Sequence, residues 1–146
     1  MKKTIWLCAT IFLIICLAGC ARNEGNQSAE KYSMNSSISY GSVDIDSLDK
    51  TKITYEITIG GAESDIENID SQEIIINADY IDLLLENGPH SSELKNEEQP
   101  YLEISGSFVF DTNGKSKEEI TSMNLLQGVK IVDKDKDEYI LKFNNN

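Results

Sequence analysis

The residues of this sequence that could do chemistry are one histidine, three cysteines and one run of alternating carboxylates. His90 is the only histidine, so a histidine-based zinc site or a Ser-His-Asp triad would have to be built around it. No GxSxG, HExxH, P-loop or CxxC pattern accompanies it, and its neighbours Gly88, Pro89, Ser91 and Ser92 predict a loop. We therefore interpret His90 as an inert loop residue, and we predict no enzyme, no catalytic residue, no metal site and no cofactor.

The alternating carboxylates occupy residues 133–138, in the order Asp-Lys-Asp-Lys-Asp-Glu. A calcium-binding EF-hand loop has similar spacing, but it needs glycine at its sixth position and a bidentate glutamate at its twelfth. Here those positions are Glu138 and Asn144, and the two lysines would oppose the cation. We expect a solvated hairpin tip.

The chain begins with a short basic segment followed by an apolar run. Lys2 and Lys3 come first, and residues 5–17 are apolar except for Thr10. This pattern is typical of a secretory signal peptide, and the run is short for a membrane-spanning helix, which needs roughly 20 residues. An uncleaved transmembrane anchor is the alternative.

The apolar run ends in Leu17-Ala18-Gly19-Cys20, which is an aliphatic residue, a small residue, a glycine and a cysteine. These four positions resemble the lipobox of bacterial lipoproteins, a resemblance that covers only the first twenty residues. It implies that residues 1–19 are a lipoprotein signal peptide, with Leu17, Ala18 and Gly19 recognised by the signal peptidase that cuts before Cys20. It also implies a diacylglyceryl group on the Cys20 thiol, and two acyl chains would attach the protein firmly to the membrane.

Composition and charge favour one globular domain. The chain is 40% hydrophobic and 26% charged, as in folded proteins. Loss of Lys2 and Lys3 with the leader would take the formal net charge from −12 to −14, which argues against nucleic-acid binding. Cys8 and Cys16 would also leave, so the mature domain would have no internal disulfide. The residue usage resembles that of Gram-positive bacteria, which places the anchor on the outer face of the cell membrane.

After the cysteine, the sequence divides into a spacer and a domain. Residues 20–36 are polar without an apolar period, and they predict a lipidated N-terminus with a flexible tether spanning on the order of 20 Å. Residues 37–146 predict the folded domain.

The domain is predicted to be mainly β-structure, because apolar residues alternate with polar ones at residues 53–59 and 102–110. The first run stops at a Gly-Gly pair and the second at a turn over residues 111–114. Further strands are expected at residues 38–46, 66–76, 80–86, 129–133 and 138–143. The last two flank a hairpin turn, and residues 90–100 are expected to form a loop.

One short helix is predicted near residues 117–126. Ser116 and Glu119 have the spacing of a capping box, Ile120 and Met123 share a face, and Gly128 follows as a candidate C-cap.

About seven strands with regular turns predict an immunoglobulin-like Greek-key β-sandwich, and an open α+β fold is the competitor. The pattern resembles the small immunoglobulin-like modules of Gram-positive lipoproteins over residues 37–146, although the Cys…Trp…Cys core of antibody domains is absent.

The leading functional hypothesis is a lipid-anchored domain that binds a protein, a peptide or a cell-envelope component. Its partner is not identified by the sequence beyond the membrane itself. Acidic and aromatic residues could line a protein-binding surface, namely Tyr80, Asp82, Glu93, Glu97, Glu98 and Tyr101. One alternative is an immunity-type or structural surface lipoprotein. A minor alternative is a pheromone precursor, because residues 12–19 resemble the hydrophobic mating peptides that some bacteria release from lipoprotein leaders.

Overall fold

The computed structural model describes residues 31–44, 47–96 and 98–144. These residues form seven strands: β1 (Tyr32–Asp44), β2 (Ser47–Gly61), β3 (Ile69–Ile76), β4 (Leu84–Lys95), β5 (Tyr101–Asp111), β6 (Leu126–Asp133) and β7 (Glu138–Lys142). Three short helices connect them: α1 (Glu63–Glu67), a 3₁₀ helix (Ala78–Leu83) and α2 (Lys117–Ser122). None of the helices within these ranges is long and apolar enough to cross a bilayer.

The strands form two antiparallel sheets that pack face to face. One has the order β1-β2-β5-β4 and the other has the order β3-β6-β7. Constant-type immunoglobulin domains have the same arrangement, with strands A-B-E-D facing strands C-F-G. The helix α2 lies between β5 and β6, where those domains cross from strand E to strand F. The predicted immunoglobulin-like sandwich of about seven strands is therefore confirmed.

The core lies between the sheets and follows directly from the period-two pattern. On β2, Ile53, Tyr55, Ile57 and Ile59 point inward, and each is at most 1% exposed. Buried residues from the other strands complete the cluster, among them Leu102, Ile104, Phe110, Val129, Ile131 and Leu141. Because burying one such side chain contributes about 1.5–3 kcal/mol, this core stabilises the domain without a disulfide.

The strand β1 begins at Tyr32, which corrects the predicted domain boundary at residue 37. Residues 32–36 lie in a strand instead of a tether. Tyr32 is buried and its ring packs edge-on against Tyr139, with the ring centroids 5.1 Å apart. The sequence did not predict this part of the strand, because the serines and the asparagine at its exposed positions make the segment look uniformly polar.

The strand β4 corrects two predictions, the strand at residues 80–86 and the loop at residues 90–100. The 3₁₀ helix occupies residues 78–83, and β4 then runs through Pro89 to Lys95. Its register against β5 shifts between Asn87 and His90, so Gly88 and Pro89 form a bulge. A proline is tolerated there because β4 is an edge strand.

The capping box of α2 is confirmed, but the predicted end of the helix is wrong. The Ser116 hydroxyl accepts from the Glu119 N–H at 3.2 Å, and the Glu119 carboxylate accepts from the Ser116 N–H at 2.7 Å. The helix ends at Ser122, and Leu126 already belongs to β6. Gly128 is not a C-cap, because it lies inside β6, where a Cβ atom would come within 2.1 Å of the Leu141 carbonyl oxygen.

Candidate functional site

The candidate site is a hollow of about 250 Å³ on the outer face of the four-stranded sheet. It lies beside the β4 bulge, over the strand pair β2–β5. Its lining consists of Lys52, Thr54, Pro89, His90, Ser91, Ser105, Gly106 and Ser107. Among the described residues, no carboxylate lines the hollow, although the chain as a whole is strongly acidic.

Small hydroxyl side chains form the floor of the hollow because of the strand register. Thr54 of β2 lies opposite Ser107 of β5, and Ser105 of β5 lies opposite Ser91 of β4. These residues share the outer face, since alternate residues of a strand point to the same side. The hydroxyls can donate and accept hydrogen bonds.

The bulge forms one wall of the hollow because glycine allows the chain to pass close to β5. A Cβ atom on Gly88 would lie 2.2 Å from the Ser107 hydroxyl oxygen and 2.9 Å from its carbonyl oxygen. Ser107 is consequently only 6% exposed. Pro89 follows beside the covered serine, whereas His90 lies opposite Gly106, on the face from which Tyr55 approaches.

The imidazole of His90 forms a hydrogen bond with the side chain of a buried tyrosine. The Tyr55 hydroxyl oxygen lies 2.9 Å from His90 Nδ1, and Tyr55 is only 1% exposed. The tyrosine reaches the histidine by crossing Gly106, where a Cβ atom would lie 2.3 Å from the hydroxyl oxygen. Its ring stacks on Phe108 with a centroid separation of 5.6 Å. Gly106 therefore leaves room for a contact that links three strands.

The Tyr55–His90 contact is a hydrogen bond between a phenol and an imidazole. Burial raises the pKa of Tyr55 above its usual value, so the phenol stays protonated at neutral pH. A buried hydroxyl needs an acceptor, and we assign the Tyr55 O–H as donor to Nδ1. A Ser-His-Asp triad instead has a carboxylate at Nδ1, where His90 has the Tyr55 hydroxyl.

The structure changes the interpretation of His90. It lies in β4 and not in a loop, and its partner is a core tyrosine 35 residues away in the sequence. The alternation on β2 placed Tyr55 inside the sandwich, but no sequence signal pairs it with His90.

The carboxylate run at residues 133–138 is not wholly a solvated tip. Residues 134–137 are exposed, but Asp133 is 1% exposed and accepts hydrogen bonds from the Lys31 ammonium at 2.8 Å and from the Asp137 N–H at 2.9 Å. Across the described ranges, no group of three or more histidine, cysteine or acidic residues could hold a metal ion.

The acidic and aromatic residues proposed as one surface are divided between two ends of the sheet. Tyr80 and Asp82 lie in the 3₁₀ helix before β4, whereas Glu93 and Tyr101 lie where β4 turns into β5. Glu98 follows β4, and Glu97 lies outside the described residues. These residues do not form a single patch.

The lipobox residues Leu17, Ala18, Gly19 and Cys20 also lie outside the described residues. Comparison with known proteins adds no relative: no family model, no curated protein and no solved structure matches this chain.

Proposed function

We propose that this chain is a non-enzymatic lipoprotein anchored on the outer face of the cell membrane. Its sandwich binds a neutral, hydroxyl-rich component of the cell envelope. The observation that carries the proposal is the hollow beside His90, which hydroxyl groups line and which carboxylates do not. A glycan segment fits this chemistry.

The charges around the hollow favour a neutral ligand. A cationic ligand would meet the Lys52 ammonium and no carboxylate in the lining. A strongly anionic ligand would be attracted by Lys52 but repelled by the net charge of −12. The serine and threonine hydroxyls can exchange hydrogen bonds with sugar hydroxyls. Pro89 adds an apolar wall against which a sugar ring can pack.

The proposed location at the membrane comes from the start of the chain. A lipidated Cys20 would leave only residues 21–31 before β1, which span at most about 40 Å when fully extended. The domain would therefore work close to the membrane, where the innermost glycan of the envelope is within reach.

Sedimentation with purified cell-wall glycan tests the proposal. The intact lipoprotein in detergent micelles is mixed with peptidoglycan sacculi, and the bound fraction is measured over a range of glycan concentrations. We expect wild-type protein to co-sediment and Ser91→Trp, which fills the hollow, to bind at least about tenfold more weakly, equivalent to 1.4 kcal/mol.

Thr58→Trp is the matched control, because Thr58 is exposed on the same sheet face away from the hollow. It should bind like wild type. Absence of wild-type binding, or equal binding by the Ser91→Trp protein, would show that the hollow is not a glycan site.

A further inference from the structure

The strand β1 is an open sheet edge without the usual protection. In the part of the chain that the structure describes, β1 pairs only with β2. Residues 32–43 contain no charged residue and no proline, and the one register irregularity lies near the turn, between Ser42 and Asp44. An edge of this kind presents unpaired backbone N–H and C=O groups that another strand can use.

The three other edge strands carry features that oppose such pairing. The strand β4 has the Gly88–Pro89 bulge and the carboxylates of Glu86 and Glu93. Asp70 and Glu73 lie on β3. The strand β7 has only five residues and carries Glu138 and Lys142. Charges, prolines and short length are the devices by which natural sheets avoid edge-to-edge association, and residues 32–43 of β1 lack all of them.

The inner face of β1 also has apolar surface that the sandwich leaves incompletely covered. Met34, Ile38 and Tyr40 pack against the core cluster but are only partly buried. A strand added outside β1 would cover this row if it carried apolar residues on the same face.

We propose that β1 pairs antiparallel with β1 of a second copy of this chain, which joins two four-stranded sheets into one. A two-fold axis perpendicular to the sheet places the inward-facing residues of one β1 beside those of the other. Met34, Ile38 and Tyr40 of each copy then cover the same row of residues in the second copy. The outer rows then bring together serine and asparagine side chains, Gly41 and the exposed Val43.

Charge favours a second copy at this edge. Two molecules with a net charge of −12 repel one another over most of their surfaces. Residues 32–43 are the edge along which two copies can approach without opposing carboxylates. A self-complementary contact of this kind is the usual basis of a symmetric dimer.

Cysteine cross-linking tests the pairing directly. The cysteines of the chain are Cys8, Cys16 and Cys20, so a cysteine introduced into β1 is the only thiol of the domain. Ser33→Cys, Ser37→Cys and Ser39→Cys are expressed one at a time in the full chain, and the native membranes are treated with a mild oxidant. Residues opposite each other across paired strands have Cβ atoms about 4.5–5.5 Å apart, so the position closest to the two-fold axis should give a disulfide-linked dimer.

Thr58→Cys is the matched control, since Thr58 lies on the same face of β2, opposite Asn35 and one strand in from the edge. It should give no dimer. Dimer at Thr58 as strong as at β1, or cross-links from β1 only to other proteins, would overturn the proposal.

A charge variant gives a second test that needs no cross-link. Ser37→Lys combined with Ser39→Lys puts like charges on the two facing strands, whereas Thr54→Lys combined with Thr58→Lys puts them on the neighbouring strand. Sedimentation equilibrium of the intact lipoprotein in micelles should show a dimer for wild type and the β2 variant and a monomer for the β1 variant. Far-ultraviolet circular dichroism confirms folding, and a monomeric wild type at tens of micromolar would refute the pairing.

Discussion

Asp133 shows how a carboxylate in a metal-like pattern can serve the fold. Its side chain accepts from the Lys31 ammonium and from the N–H groups of Asp135 and Asp137, and the Tyr139 hydroxyl lies 3.4 Å away. The hydrogen bond from Lys31 holds the pKa of Asp133 below its usual value, and it raises the pKa of Lys31. The pair joins the start of β1 to the β6–β7 turn.

We expect Asp133→Asn to lower the urea midpoint at pH 7, because it removes the anion that Lys31 contacts. The wild-type advantage should be complete above the unfolded pKa of 3.8. It should disappear as pH falls through the lower folded pKa, since the carboxylate then becomes neutral. Urea unfolding of both proteins between pH 7 and pH 2 checks this.

Asp137→Asn serves as the control for Asp133→Asn, because Asp137 is exposed and contributes its backbone N–H to the turn. It should change the midpoint little. A difference between wild type and Asp133→Asn that stays constant down to pH 2 would contradict the ionic role of Asp133.

At the scale of residues, the sequence identifies which side chains face inward but not which ones meet. The alternation on β2 predicts that Tyr55 is buried. Its contact with His90 depends on two registers, Tyr55 opposite Gly106 and His90 opposite Gly106. Those registers join residues that are distant in the chain, and a local pattern contains no information about them.

At the scale of elements, patterns with a local physical cause were predictable. The strands β2 and β5 follow from alternation, and the start of α2 follows from a capping box whose atoms lie within three residues. The strand β4 was not predictable, because a bulge around Pro89 interrupts the alternation. The first residues of β1 were missed because an edge strand needs few apolar residues.

The capping box of α2 gives an element-scale prediction. Ser116→Ala removes the acceptor for the Glu119 N–H and should lower the free energy of unfolding by about 1 kcal/mol. Chemical denaturation of the purified protein measures this. Thr121→Ala, on the exposed side of the same helix, should cost less, and equal losses for the two variants would exclude a specific capping contribution.

At the scale of the whole molecule, the class of fold was predictable because seven strands with regular turns have few ways to bury their apolar faces. The candidate site was not, because the hollow arises from one bulge at one sheet edge. The proposed location depends on a different kind of signal, the short motif at residues 17–20, which would be recognised before the chain folds.

We expect Cys20→Ser to prevent lipidation, so that the protein no longer reaches the membrane fraction as a mature lipoprotein. Wild-type protein should begin at Cys20 and carry the mass of a diacylglyceryl group, whose acyl chains contribute about 0.8 kcal/mol per buried methylene to membrane binding. Mass spectrometry of the membrane fraction checks both.

Cys16→Ser is the control for Cys20→Ser, because it changes a cysteine of the same leader and leaves residues 17–20 intact. It should be processed like wild type. A wild-type chain that keeps residues 1–19 and an unmodified Cys20 sulfur would instead favour a transmembrane anchor.

The position of Lys31 would have a mechanical consequence if the domain is anchored to the membrane through its first strand, as we propose. Tension between the membrane and a ligand in the hollow would enter the domain at Lys31 and run along β1. That strand is paired with β2 from Tyr32 opposite Gly61 to Asp44 opposite Ser47. A pull along the strands would load these backbone hydrogen bonds together in shear, so they would not break one after another. The Lys31–Asp133 ion pair, which precedes them, would be the first contact to bear the load.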